Sequence, residues 1–182
     1  IVVRLVGSEM CIRDRQIRLG LKRINGVEVE LHEVLMEVYT KAQSVSSIKE
    51  TLSDHMVRKM VDFEEGFIGA LFLNDQERAL VYSRSKYTNL KSEVLSYLHG
   101  IVRKRLTGET ADDLLDAIIH QKTSSSIEPL SEEELIYDAY LLLIAGTGNT
   151  SKTLCYCLYE LANNPCLLYT SDLPTTYHVV IS

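Results

Sequence analysis

The residues of this chain best suited to chemistry lie in the run Ala145-Gly146-Thr147-Gly148-Asn149-Thr150. Two glycines and an alanine within four positions weaken a helix by about 1 kcal/mol per glycine. A sequence accepts that loss where something flat or bulky must approach the backbone closely. Asn149 and Thr150 add a carboxamide and a hydroxyl at the same place. A carboxyl and a hydroxyl can relay protons, whereas the Asn149 amide hydrogen-bonds but does not titrate near neutral pH. The bland reading of the patch is a helix crossing point, where small residues admit a neighbouring helix.

A second chemistry overlaps the first. Residues 146–153, Gly-Thr-Gly-Asn-Thr-Ser-Lys-Thr, approach the phosphate-binding loop Gly-x-x-x-x-Gly-Lys-Ser/Thr. Lys152 would reach the phosphates and Thr153 a magnesium ion. Ser151 stands where the second glycine belongs, and the loop needs a buried strand before it, with βαβ alternation elsewhere. A nucleotide-binding protein using this loop is one alternative. An α-helical interaction domain without catalysis is the other.

No other cluster competes. Cys155 and Cys157 are two apart, point different ways on a helix, and read as small core residues rather than a metal clamp. No zinc or disulfide pattern is present, in keeping with a reducing, intracellular compartment. His32, His55, His99 and His120 share no ligand spacing. Arg103-Lys104-Arg105 reads as a solvated helix end favoured by the helix dipole. A net charge of −6 argues against a nucleic-acid surface. No window is long and charge-free enough for a membrane helix.

The elements that must position the patch are nearly all helices, so the fold class is all-α. Leu130–Pro165 reads as one long amphipathic helix interrupted by the patch. Ser131 and Glu134 form a capping box at its entry. Upstream, Asn25-Gly26 is a turn before a helix carrying Leu31, Val34, Leu35 and Val38. Ile48–Phe63 has Leu52, Met56, Val57 and Met60 at helical spacing, and Gly66 and Gly69 loosen the stretch around Phe67, Ile68 and Leu71. Asn74-Asp75 cap a long helix to Leu106, with Tyr87, Leu90, Val94, Leu98 and Ile101 on one face. Gly108 breaks it, Thr110 and Asp113 open a further helix over Leu114–Ile119, and Gln121–Pro129 is a loop.

This order resembles the cytochrome P-450 family of haem-thiolate monooxygenases. That family's central helix has an acidic entry, an apolar run, Ala-Gly-x-Asp/Glu-Thr-Thr/Ser, and then Tyr-Glu-Leu-Ala-x-x-Pro. Here Leu141–Ile144 is the run, Ala145-Gly146 the small pair, and Tyr159–Pro165 the exit, in ungapped register from Ser131. Val29–Val34 and Asp112–Asp116 are similar to the family's earlier helix openings. The resemblance implies a haem against Ala145 and Gly146. It implies an oxygen and proton-relay region at Asn149 and Thr150, a small organic or lipid-like substrate, O2, and reducing equivalents from a redox partner. It leaves membrane association of the parent open. The family acid falls on Gly148 and the family threonine on Asn149, so the acid is missing. That departure suits slow, leaky proton delivery, or a rearrangement or peroxide-driven reaction. A one-residue shift would put Thr150 on the threonine but breaks the Tyr-Glu-Leu-Ala register. The family's haem-ligand Cys loop, its Glu-x-x-Arg helix and its Trp-x-x-x-Arg helix have no counterpart here, so no metal ligand is expected.

The two ends read differently. Met10–Arg15 and Cys166–Ser171 can be encoded by reverse-complementary strings of about 16 nucleotides, which look like a transposase end sequence from library preparation. Residues 1–15 and 166–182 are therefore expected to be adapter-derived, with 16–165 a partial domain, an internal fragment of a longer protein. A truncated piece would leave Tyr140, Leu141, Leu143 and Ile144 exposed. Resequencing the source locus is expected to replace both ends and to extend the frame past Pro165 to a Cys-containing haem loop.

Overall fold

A computed structural model of the chain describes residues 13–22, 26–120 and 130–170. The expected loop 121–129 lies outside them, as do residues 1–12 and 171–182. Among the described residues the regular elements are all helical. Helix α1 covers residues 13–21, and α2 to α9 cover Leu31–Ser47, Asp54–Leu71, Asp75–Ser83, Ser85–Leu106, Leu114–Ile119, Glu132–Ile144, Thr147–Asn163 and Pro165–Thr170. The expected boundary at residue 15 falls inside α1, and that at 165 falls at the start of α9.

Helices α2, α3, α5 and α7 close a ring, each packing on the next, with α8 laid along α2 and α4 and α6 at the edges. The ring's interior holds Met36, Val57, Met60, Phe63, Val94, Leu98, Val102, Ala139 and Leu143, all nearly or fully buried. Phe63 stands between Tyr87 and Tyr140, with ring centroids 5.3 and 5.2 Å away at tilts of 50° and 46°. Such tilted pairs add about 0.5–1.5 kcal/mol beyond their burial.

Side-chain caps set four of the helix starts. The Ser53 hydroxyl accepts from Met56 N at 3.2 Å and Asp113 Oδ1 from Asp116 N at 2.9 Å. Full capping boxes stand at Asn74/Glu77 and at Ser131/Glu134, the second as the sequence leads one to expect. Several expectations are corrected. Helix α3 begins at Asp54, because Ser53 caps there, and runs unbroken through Gly66 and Gly69 to Leu71. The long helix from Asn74 is two helices, parted at Arg84, whose extended backbone (ψ 136°) ends α4 and starts α5. The helix from Ser131 to Pro165 is likewise two, α7 and α8.

Arg105 is not a solvated helix end. Its side chain is buried and pairs with Asp113 at 3.1 Å and with Asp116 and Glu50 at 3.7 Å. It also donates to the Ile48 carbonyl at 3.1 Å. Nearby, Lys49 Nζ donates to the carbonyls of Ala111 and Asp112 at 2.6 Å each. Lys49 and Asp112 both hold positive φ, 49° and 54°. These contacts tie the end of α2 to the α5–α6 junction. The expected exposed face of α7 is also corrected, since Tyr140, Leu143 and Ile144 are buried and only Leu141 is open. Exposed rings are found at Tyr156 and Tyr159 on α8, at Tyr137 on α7 and at Phe72 after α3. Cys155 is half-buried and Cys157 exposed, so neither is a core residue.

Arg105→Ala is expected to cost about 3–5 kcal/mol in urea unfolding, because it leaves the fully buried Asp113 carboxylate without its cation. Arg103→Ala, which removes an exposed pair with Glu132, is expected to cost under about 1 kcal/mol.

Candidate functional site

Helix α7 ends at Ile144 because the next two residues leave helical space. Ala145 has φ −58° and ψ 113°, and Gly146 has φ 86° and ψ −12°. The second is a left-handed conformation that disfavours any Cβ by about 1–2 kcal/mol. Gly146 is therefore a glycine for conformational reasons. Its open side is unfilled, since the nearest atom to a Cβ built there is Thr150 Oγ1 at 3.8 Å. Gly148 differs. Its φ is not left-handed, and a Cβ there would stand 3.0 Å from Glu64 Oε1. A side chain there would require the Glu64 carboxyl to give way by a few tenths of an ångström.

Hydroxyl groups stitch the break. Thr147 Oγ1 donates to the Leu143 carbonyl at 3.1 Å across it, Ser151 Oγ to the Thr147 carbonyl at 2.8 Å, and Thr153 Oγ1 to the Asn149 carbonyl at 2.8 Å. Thr147 and Ser151 are buried against the neighbouring helices, whereas Ala145, Gly146 and Asn149 are exposed and Thr150 is half-exposed. The four site residues read from the sequence thus sit together on the open side of one helix break. A cleft of about 450 Å³ runs beside Ala145, Gly146 and Thr150, walled by Tyr39 and Gln43 of α2 and by Arg13 and Ile17 of α1. Gln43 Nε2 crosses to the Leu142 carbonyl at 2.9 Å, which fixes α2 against the end of α7.

The break also corrects the nucleotide-binding reading. The residues before Gly146 form helix α7, not the buried strand that a phosphate loop requires, and Lys152 is an exposed residue inside α8. No group of three or more metal-ligating side chains occurs among the described residues, and no described helix is long and apolar enough to cross a membrane.

Glu64 is the functional candidate that sequence reading missed. It is buried, on α3, under the first turn of α8. Burial pushes its pKa from 4.5 up to about 7, the Gly148 N–H bonded to it opposes that shift, Glu65 adds to it, and Lys152 opposes it. The Tyr140 hydroxyl is also pushed up, by burial first and then by the Glu64 charge. That hydroxyl is buried with no hydrogen-bond partner among the described residues. An acid in the sequence between Asp62 and Glu65 reads as one more surface charge, and only the fold turns it inward.

The sequence profile of the cytochrome P-450 family matches residues 31–168. The chain belongs to the cytochrome P-450 family. It is similar to the bifunctional cytochrome P-450/NADPH–P-450 reductase of Gibberella moniliformis, 37% identical over 68 residues, which is 37% of this chain and 6% of that protein. It is also similar to the self-sufficient cytochrome P-450 monooxygenase CYP505U2 of Exserohilum turcicum, 35% identical over 63 residues, 35% of this chain and 6% of the other. Its fold matches the crystal structure of a cytochrome P-450DA haem domain with a TM-score of 0.69 at 19% identity, covering 89% of this chain and 36% of that one. The chain therefore spans about a third of that cytochrome P-450 structure and a small part of the two relatives.

In this cytochrome P-450 segment the folded state holds the Glu64 proton more tightly than the unfolded chain does. Its contribution to stability is therefore most favourable at low pH and falls as pH rises from 4.5 to about 7. Glu64→Gln is expected to raise stability by about 1–3 kcal/mol at pH 8 and to leave it nearly unchanged at pH 4. Thermal melts of both proteins across that range measure the difference. Gly146→Ala is expected to cost about 1–2 kcal/mol at either pH, through backbone strain alone.

Proposed function

We propose that the chain is part of a haem-thiolate monooxygenase and that the open face at the α7–α8 break is its haem face. The observation that carries this reading is the exposed small-residue pair Ala145-Gly146, held open by a left-handed glycine, within a segment of this family. Thr150 Oγ1 is the one described side-chain atom within 4 Å of where a Cβ of Gly146 would stand, which leaves room for a flat ring to approach the backbone. When bound, the haem supplies activation of O2 with external reducing equivalents. The residues of this chain shape the pocket around it. Ala145 and Gly146 admit the ring, Asn149 presents a carboxamide, and Thr150 presents a hydroxyl that donates to no described partner. A hydroxyl not committed to a backbone carbonyl is free to pass a proton, and on that ground Thr150 carries the alcohol's role.

The parent's substrate is a small organic or lipid-like molecule, and its electrons come from a redox partner. Support for the partner is that one relative's name includes an NADPH-dependent reductase.

The test is haem uptake by the full-length protein. Ala145→Leu is the informative variant, because Ala145 has φ −58° and takes a leucine without backbone strain. It is expected to lower haem affinity at least about tenfold, some 1.4 kcal/mol, while leaving thermal stability of the apoprotein within about 0.5 kcal/mol. Undiminished haem binding with Leu at 145 would refute this placement of the haem face.

A further inference from the structure

Glycine at 146 permits the break between α7 and α8 but does not impose it. Glycine takes left-handed and right-handed helical angles about equally, and alanine, the residue at 145, is the best helix former. Local sequence therefore allows a straight central helix, and a contact from elsewhere must decide. We propose that Gln43 of α2 holds the break open, by giving the Leu142 carbonyl the hydrogen bond that a straight helix would supply from Gly146. This deepens the haem-monooxygenase reading and rests on it, since the face that Gln43 keeps open is the proposed haem face.

The ladder of α7 ends with Ala145 N on the Leu141 carbonyl at 2.8 Å. In an unbroken α-helix the next rung would run from the Gly146 N–H to the Leu142 carbonyl. The extended ψ of Ala145, 113°, turns the Gly146 N–H out of that rung. Gln43 Nε2 donates to the Leu142 carbonyl at 2.9 Å in its place, and to Ser47 Oγ at 2.7 Å. Both hydrogens of the carboxamide are thereby engaged, which fixes the side chain. The Thr147 bond to the Leu143 carbonyl does not discriminate between the two forms. It spans four residues, and a threonine makes it within an unbroken helix too.

The break between α4 and α5 gives the contrast. There the Ser83 hydroxyl donates to the Leu80 carbonyl at 2.9 Å, and the Thr88 hydroxyl to the Arg84 and Ser85 carbonyls at 3.3 and 3.1 Å. Every one of those donors is a near neighbour in sequence. The α7–α8 break takes a donor from 99 positions away. Gln43 also stands where the opening is felt. With Ala145 it lines both the cleft of about 450 Å³ beside Gly146 and Thr150 and a second cleft of about 320 Å³ that reaches Ile118 and Leu141. A straightened helix would move the Ala145 wall of both. Gln43 is a positioning residue, acting through the backbone of Ala145 and Gly146.

The experiment compares two variants of the full-length protein. Gln43→Met keeps the length of the side chain and removes the donor. Gln43→Lys offers a donor again, at the C-terminal end of α7 where a cation is favoured. Amide hydrogen exchange in the apoprotein is the first readout. In Gln43→Met the Gly146 amide is expected to exchange about two- to fivefold more slowly than in the unsubstituted protein, the range that one net hydrogen bond sets, because the helix closes onto Leu142. The core amides of Leu98 and Val102 are expected to keep their rates, and Gln43→Lys is expected to match the unsubstituted protein at Gly146. Haem release is the second readout, expected to be about two- to fivefold faster in Gln43→Met and unchanged in Gln43→Lys. A Gly146 amide that exchanges at the unsubstituted rate in Gln43→Met overturns the proposal alone. So does one that exchanges faster along with Leu98 and Val102, which marks Gln43 as a packing residue only. A full-length protein that takes up no haem overturns it together with the function on which it rests.

Discussion

A helix that starts on a left-handed glycine has no side chain of its own to satisfy its first N–H groups, and α8 starts on one. Buried amide groups left unpaired are costly. Here a carboxyl from another helix, that of Glu64, stands beside the start of α8, 3.0 Å from where a Cβ of Gly148 would be. That single contact links two places far apart in the chain. The central helix breaks at Gly146 and presents its small-residue face, and α3 brings a buried carboxyl under the first turn of α8.

The ring of α2, α3, α5 and α7 is what holds both ends of that contact in place. Its interior is ordinary apolar packing, reinforced by the Tyr87–Phe63–Tyr140 stack. An expensive element of it is Arg105, whose charge is taken from water and distributed over Asp113, Asp116 and Glu50. Buried ion pairs of this kind add little net stability over apolar packing, but they are unforgiving of alternatives. With Lys49 reaching the carbonyls of Ala111 and Asp112, the network fixes where α2 ends relative to where α6 begins. The α2 surface on which α8 lies inherits that fixed position.

Much of this was legible in the residues. The Ser131–Glu134 capping box, the left-handed Gly108 stop and the Asp113 start are all local chemistry, and local chemistry is readable. The small-residue patch was readable as a place where something comes close. The illegible part depended on geometry over distance. Helical periodicity continues through Arg84 and through Ala145-Gly146, so the pattern alone merges helices that one extended or left-handed residue separates. The apolar spacing from Ile48 begins earlier than α3 does, because Ile48 and Leu52 are buried by the approach to the helix rather than by the helix. Arg105 and Glu64 look like surface charges in sequence, and only their tertiary partners, 8 and 84 positions away, reveal them as interior.

The tyrosines divide the molecule spectroscopically. The chain has ten of them and no tryptophan, so its near-ultraviolet absorption and emission are those of phenols. Tyr156 and Tyr159 stand in solvent on α8, whereas Tyr87 and Tyr140 are stacked on Phe63, the first with its ionisation pushed up to about 12 and the second also raised. Phenolate absorbance from the stacked pair at moderate alkalinity is therefore an optical signature of a ring of helices that has already come apart. Tyr140 of that pair also feels the Glu64 charge, so one of the chain's natural chromophores looks directly at its least ordinary acid.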